Sequence, residues 1–574
     1  MTPGLPGITS RRGVRVDIWR VGGPDSRTMQ TWDYVIVGAG SAGCVLANRL
    51  SASGRYRVLL LEAGTRDRHP FIHIPGMAVQ AMQLDGILWG YQDEPDSSRD
   101  NTTIPWMAGR VLGGGSSVNG LVWVRGNSGD FDRWAELGCT GWSAADVAGY
   151  FARAETFAEG GDDYRGGSGP IRTTMTPVRH PVTDAFVVAA TRAGHTFTPD
   201  YNGAVQEGVG YGQSNLRRGF RHSTARAYLG SAWRRRNLKV STECIVNRIV
   251  FDGTRAIGVE YVRDGRVEQA RASKEVIISA GAMTSPKLLM LSGVGPDEQL
   301  RAHGIDVVAR SPGVGRNMQE HPVIGMLWNV NVPTLNQLFT PMRMVRYGLQ
   351  FLASGRGPAA SSFFHALLFA KLDPKARWTE IEVGFAPFAT LGEDVDEAAT
   401  PDTLGEHDVS RMKLSSRAAV TAYVSLLHPR TRGSIELRSA NPVDPPIIRH
   451  TMYGDPQDLL DLMAGARLVR DIFEAPPMTD YVVAEAVPGV AVKTDTEWEQ
   501  RLRGPYTTGA QHPIGTCKMG TDAYAVVDPR LRVRGVHGLR VVDASIMPEH
   551  TSGNTNAPVI MVAEKASDLI LADA

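Results

Sequence analysis

Apolar and polar positions along the 574-residue chain change rhythm several times, and each change marks an element. Val35 to Val37 is a short β-branched run of the kind that fills a buried parallel strand. Glycines follow at once, and Ala42 to Leu50 then reads as a helix. A second apolar run, Val58 to Leu61, reads as the next strand. Far downstream, "IEVGFAPFA" at 381–389 and "AAVTAYVSLL" at 418–427 are rich in β-branched and aromatic residues, which predicts strands. "DPQDLLDLMAGARLVRDIFEA" at 455–475 instead sets Leu459, Leu460, Met463, Ala466 and Val469 at helical spacing. That pattern predicts a helix with one face packed on a sheet. Strand–helix–strand signals beside longer β-rich stretches make the expected fold class α/β, α+β overall.

Between the first strand and the first helix, Gly38, Gly40 and Gly43 stand at G-x-G-x-x-G spacing, with Ser41 and Ala42 opening the helix. Gly38 permits the tight turn, Gly40 lets backbone approach a pyrophosphate, and Gly43 lets helix and strand sit close. The helix N-terminus then offers its free N–H groups to the phosphates. Glu62 ends the second run, where a carboxylate can bond both hydroxyls of an adenosine ribose. That acid disfavours a 2′-phosphate, so NADP is not expected. The order strand, fingerprint, helix, strand, Glu is far more specific than the glycines alone.

A second glycine-rich stretch, "GRVLGGGSSVNG" at 109–120, exposes backbone amides to a neighbour such as a diphosphate or a flat ring. Together with "GAMTSPKLLMLSGVG" at 281–295 and "VVDASIMPEHTSGNTNAPVIMVAEKASDLI" at 541–570, it resembles the glucose-methanol-choline (GMC) oxidoreductases. Within that family the look is nearest to the bacterial choline dehydrogenase-like alcohol dehydrogenases, and the resemblance runs from about Met29 to the C terminus. It implies an extended FAD, with Gly38 to Gly43 at its pyrophosphate and Glu62 at its ribose. It further implies flavin contacts from Val111, Asn119, Gly120, Leu121 and Val122, an adenine contact from Val246, and a diphosphate contact from Asp543. Where some relatives carry a flavin-linking histidine this chain has Val118, so FAD is expected without a covalent bond.

The resemblance also implies a Rossmann-like FAD-binding domain assembled from 29–160, 216–320 and 510–574. A substrate domain with an antiparallel sheet flanked by helices would take 161–215 and 321–509. Residues 1–28, with five arginines, several Gly and Pro and no apolar segment, are expected to be a disordered tail or the product of an upstream start codon.

The histidine of "AQHPIGTCKMG", 510–520, has three readings from the residues alone: metal ligand, buried structural group, or base. Alcohol oxidation needs a base near oxygen, and an imidazole with an unperturbed pKa of about 6.5 is mostly neutral at pH 7. In the family the matching histidine removes the hydroxyl proton, which makes His512 the candidate base. Asn554, in "HTSGNTNAP", matches the second catalytic position, and an amide can donate but not act as base. Cys517 is expected to be a small buried apolar residue and His550 a loop residue. In "PAASSFFHALLFA", Phe363, Phe364 and His365 are expected either at the substrate wall or packed in the core, with His365 at the nearest match to the glutamate of choline-oxidising relatives. An aromatic wall without an acid fits an uncharged primary alcohol better than choline.

Charge and composition narrow the partners. Sixty-one Lys and Arg against sixty Asp and Glu leave +1, so no global field recruits nucleic acid or an anionic bilayer. Four scattered cysteines, without a C-x-x-C pair, argue against a disulfide framework or a zinc site and for a reducing, cytoplasmic setting. No apolar run reaches the ~18 residues of a spanning helix. No G-x-S-x-G pentapeptide supports a serine hydrolase. The expected function is hydride transfer from a primary alcohol to flavin N5, giving an aldehyde. Oxygen, a quinone or a redox protein would take the electrons, and oxygen would make the enzyme an oxidase that yields hydrogen peroxide. A flavin-containing hydroxynitrile lyase, an NAD-dependent dehydrogenase and an FAD-storing protein are the rival readings.

Overall fold

A computed structural model of the chain describes residues 30–338, 341–389 and 417–574. The expectation for residues 1–28 lies outside the described residues. Two seven-stranded sheets carry the architecture, as the α/β reading requires. In the first, Thr31–Val37 is flanked in parallel by Val58–Leu61 and by Arg266–Ile278. Leu238–Ser241 adds a parallel strand beyond Val58–Leu61. The long Arg266–Ile278 strand has a divided outer edge: its first half pairs antiparallel with Arg255–Arg263, and Val276 to Ile278 pair in parallel with Leu539–Val541. Residues from near both ends of the chain therefore meet at one end of one sheet.

Helix Ser41–Ser51 packs on this sheet and against the C-terminal helix Asn556–Ala572. Both are apolar on nearly every side because both are enclosed. The exception is Glu564, whose buried carboxylate accepts from Arg49 at 2.7 and 2.9 Å and from the Tyr228 hydroxyl at 2.6 Å. Removing one partner of such a buried pair costs roughly 3–5 kcal/mol.

The second sheet is antiparallel and runs Val482–Val487, Pro322–Val330, Ala419–Leu426, Ile381–Ala386, Ala366–Ala370, Gly208–Tyr211. Period-two alternation gives it two different faces. Ile381, Val383 and Phe385 point into a core shared with helices Pro181–Arg192 and Pro456–Phe473, while Glu382 and Gly384 belong to the other face. Helix Pro456–Phe473 starts at a cap, Asp455 accepting from the Gln457 N–H at 2.9 Å, with proline in the first turn. Its buried apolar side chains are Leu459, Leu462, Met463, Ala466, Val469, Ile472 and Phe473. Leu460 departs from the expected face: it lies on the ridge of Arg467 and Asp471 and is half-exposed. Among the described residues no helix is long and apolar enough to cross a membrane.

Candidate active site

Two cavities adjoin at the C-terminal ends of the parallel strands, the usual ligand position of such sheets. One, of about 270 Å³, is lined by Gly38, Gly40, Ser41, Ala42, Glu62, Val246 and Asp543. The other, of about 360 Å³, is lined by Val118, Asn119, Gly120, Val122, His512 and Asn554. Ser41, Met107, Gly115, Gln511, Thr555 and Val559 belong to both walls, which makes one elongated site.

The first cavity is shaped by backbone. Gly38 has φ +96°, and a Cβ there would lie 2.4 Å from the Ser279 carbonyl oxygen. A Cβ on Gly43 would lie 1.9 Å from the Gly38 carbonyl oxygen, so that residue serves helix–strand packing rather than the wall. Gly40 is different: a Cβ there would meet nothing within 4 Å, because the position opens into the cavity. Glu62 reaches the cavity while its two oxygens accept from the Ala39 and Gly64 N–H groups at 2.8 Å. Burial raises its pKa to about 7. Each oxygen keeps a second lone pair for a ribose hydroxyl.

Asp543 lines the same cavity, but its carboxylate already accepts from Gly281 N–H, Ser285 Oγ, Ser545 N–H and Ser545 Oγ at 2.5–2.9 Å. It clamps the 281–285 turn to the 543–545 turn, and its charge would repel a diphosphate. Asn119 is likewise engaged, accepting from Arg221 at 2.7 Å and from the Leu121 N–H at 3.1 Å. Val111 and Leu121 do not reach either cavity: Val111 packs with Ile72, Ala81, Ile87 and Val118 beneath the glycine loop, and Leu121 is buried at φ +66°. The cradle fits a dinucleotide by two further observations. Gly115, like Gly40, leaves open space where a side chain would stand. Asn556 Nδ2, at the N-terminus of the last helix, is buried with no partner among the described residues, while its Oδ1 accepts from Ser41 Oγ at 2.8 Å.

His512 is delivered by a strained turn. Gln511 sits at φ +67°, held by the Met107 N–H to its Oε1 at 2.7 Å and by donation to the Pro105 carbonyl at 3.2 Å. The His512 N–H donates to both oxygens of buried Glu320 at 2.9 Å. Its ring places Nε2 3.1 Å from Asn554 Nδ2 and Nδ1 3.1 Å from His321 Nδ1. An amide nitrogen can only donate, so Nε2 carries the lone pair and the ring proton sits on Nδ1, shared with His321. Burial lowers the His512 pKa to about 4. The result is a neutral imidazole with its basic atom beside Asn554, whose Oδ1 has no partner among the described residues.

Glu320 and His321 were not anticipated, although "QEHP" at 319–322 echoes "QHP" at 511–513. His550 is a loop residue, as expected, and a buried one: its ring lies 3.8 Å from that of His321, behind His512 and Asn554 rather than on the cavity wall. Cys517 is fully buried, as expected.

One wall of the second cavity is a face of the antiparallel sheet. Val323, Gly325, Glu382, Tyr423 and Ser425 line it, with Phe363 and Phe364 folding over from the preceding loop. Phe363, Phe364 and Tyr423 form a cluster with centroids 5.1–5.5 Å apart. Gly384 makes room for it, since a Cβ there would lie 2.6 Å from the Phe364 ring. His365 is not part of this wall: it is fully buried, its Nε2 2.6 Å from Ser361 Oγ. The acid is Glu382. Its carboxyl has no hydrogen-bond or ion-pair partner among the described residues, and burial raises its pKa to about 8. A Cβ on Gly553 would lie 3.6 Å from its Oε2, so it approaches the loop that carries Asn554.

Sequence models of the GMC oxidoreductase family match residues 32–323 and 429–563. The chain belongs to that family. It is 40% identical over 555 residues to the human mitochondrial choline dehydrogenase, covering 95% of this chain and 90% of the relative. It is 41% identical over 542 residues to an oxygen-dependent choline dehydrogenase of Sinorhizobium fredii, covering 94% and 95%. Among solved structures, a formate oxidase of Aspergillus oryzae superposes with a TM-score of 0.85 at 25% identity, covering 95% of this chain and 98% of that one. This GMC oxidoreductase is an FAD-dependent enzyme acting on the CH–OH group of alcohols.

Proposed function

We propose that this GMC oxidoreductase oxidises a cationic primary alcohol of the choline type to its aldehyde. The observation that carries the reading is Glu382, a buried carboxyl without a partner among the described residues, in the cavity that holds His512 and the Phe363–Phe364–Tyr423 cluster. A quaternary ammonium takes both a carboxylate and aromatic faces. The choline dehydrogenases to which the chain is similar are named for such an alcohol. An uncharged alcohol is the less favoured substrate, because the wall does contain an acid.

His512 Nε2 takes the hydroxyl proton. Its geometry is kept by Glu320 on the backbone side and by His321 at Nδ1. Asn554 orients the hydroxyl and steadies developing negative charge on oxygen. Glu382, ionised once the cation is bound, fixes the far end of the substrate and so aims the carbinol carbon. Gly38, Gly40, Ser41, Ala42 and Glu62 would hold the ADP half of FAD, with Gly43 behind them, and Val246 the adenine. Asn119, Gly120, Val122, Asn556 and Val118 would face the flavin, to which Val118 offers no atom for a covalent link. Val111 and Leu121 support that loop, and Asp543 fastens the turns beside it. When bound, FAD supplies the hydride acceptor at N5.

The test is the visible spectrum of the purified yellow protein under argon. Choline should bleach the flavin bands, and its neutral isostere 3,3-dimethylbutan-1-ol should do so only at much higher concentration. A flavin that no alcohol bleaches would refute the reading. Readmitting air to the bleached protein then separates oxygen from a quinone or redox protein as acceptor.

A further inference from the structure

Helix Pro341–Ser354 presents an apolar stripe to solvent. Met342, Val345, Leu349 and Leu352 are 86, 66, 65 and 72% exposed, and their spacing puts them on one face. Among the described residues nothing covers them. The helix is tied to the fold by its other side, where buried Phe351 meets Phe220 with ring centroids 4.5 Å apart. Exposed Arg343 and Arg346 lie along the stripe. Beside it opens a groove of about 1080 Å³ lined by Arg172, Arg217, Arg218 and Arg356, with Leu352 common to stripe and groove. None of these six arginines has an ion-pair partner among the described residues, and Glu159 is the one carboxylate on the groove wall.

A contiguous apolar stripe flanked by unpaired cations has the composition of a helix that lies in a membrane interface. We propose that this helix docks on the surface of an anionic phospholipid bilayer. The stripe enters the headgroup–acyl boundary, and the arginines of the helix and the groove take lipid phosphates. A second copy of this chain is the less favourable occupant: a two-fold contact across the stripe would bring the same unpaired arginines against one another. The docking needs no spanning segment, and it is independent of the substrate assignment.

The test uses the full-length holoenzyme in co-sedimentation with vesicles of phosphatidylcholine alone or with phosphatidylglycerol. The wild type should pellet with the anionic vesicles and be released by salt. The variant V345E/L349E should bind them about tenfold or more less tightly, yet remain yellow and be reduced by alcohol at the wild-type rate. Should that variant fail to fold, R217Q/R218Q leaves the stripe intact and should lose about tenfold in affinity for the same vesicles. A wild type left in the supernatant, or variants that pellet as it does, would overturn the proposal. So would light scattering that shows a wild-type dimer split by V345E/L349E without any vesicle binding, because the stripe would then be a subunit interface.

Discussion

The two halves of the active site recognise their ligands by different means. The cofactor half is made of backbone: glycines that leave room at Gly40 and Gly115, N–H groups at helix starts, and a clamp, Asp543, that spends its charge on neighbouring turns. The proposed substrate half is made of side chains from a sheet face and the loops around it: three aromatic rings, one carboxyl without a partner among the described residues, and a histidine–asparagine pair. A backbone cradle fixes the cofactor whatever the substrate, while the sheet face can be re-aimed by a single substitution without disturbing the cradle.

That division is broken most severely through the cradle. Gly43→Ala would push a methyl carbon into the Gly38 carbonyl oxygen, and the expected outcome is a colourless or unfolded protein, read by the flavin absorbance of the purified variant. His512→Ala comes next: flavin reduction under argon should fall about 10²- to 10⁴-fold with the visible spectrum of bound FAD retained. The same residue sets a pH limb. With its pKa lowered to about 4, His512 stays a competent base down to that pH, and the reduction rate should drop about tenfold per unit below it. A smaller effect sharpens the comparison from the substrate side. Glu382 has its pKa raised to about 8 in the free enzyme, so apparent affinity for choline should improve as pH rises through 8, while affinity for the neutral isostere stays flat.

The cradle was legible because its rules are local. Gly38, Gly40, Gly43 and Glu62 lie within one strand–helix–strand unit, and their spacing states their work. Even there, sequence could not distinguish a residue that touches the ligand from one beneath it: Val111 and Leu121 share a stretch with Asn119 and Gly120, yet only the latter two reach the cavity. The substrate wall was harder because its residues meet only across strands. Of the two places open to "SFFH", wall or core, Phe363 and Phe364 take the wall and His365 the core, a choice that sequence spacing alone does not make. Glu382 stood in view inside "IEVGFAPFA", and a lone acid in a strand buried on both faces is itself a signal. Glu320 and His321 are invisible without the pairing of Pro322–Val330 with Thr508–Gly509 that brings them under His512.

The central claim is that a sheet-face carboxyl reads the charge of the substrate. It is tested most directly by anaerobic flavin reduction of wild type and Glu382→Gln with choline and with 3,3-dimethylbutan-1-ol. A desolvated ion pair of this kind is worth roughly 2–5 kcal/mol. The variant should therefore lose on the order of 10²-fold in apparent affinity for choline, keep its bound FAD, and reduce with the neutral alcohol as the wild type does. Equal losses for both alcohols, or no loss for choline, would contradict the account.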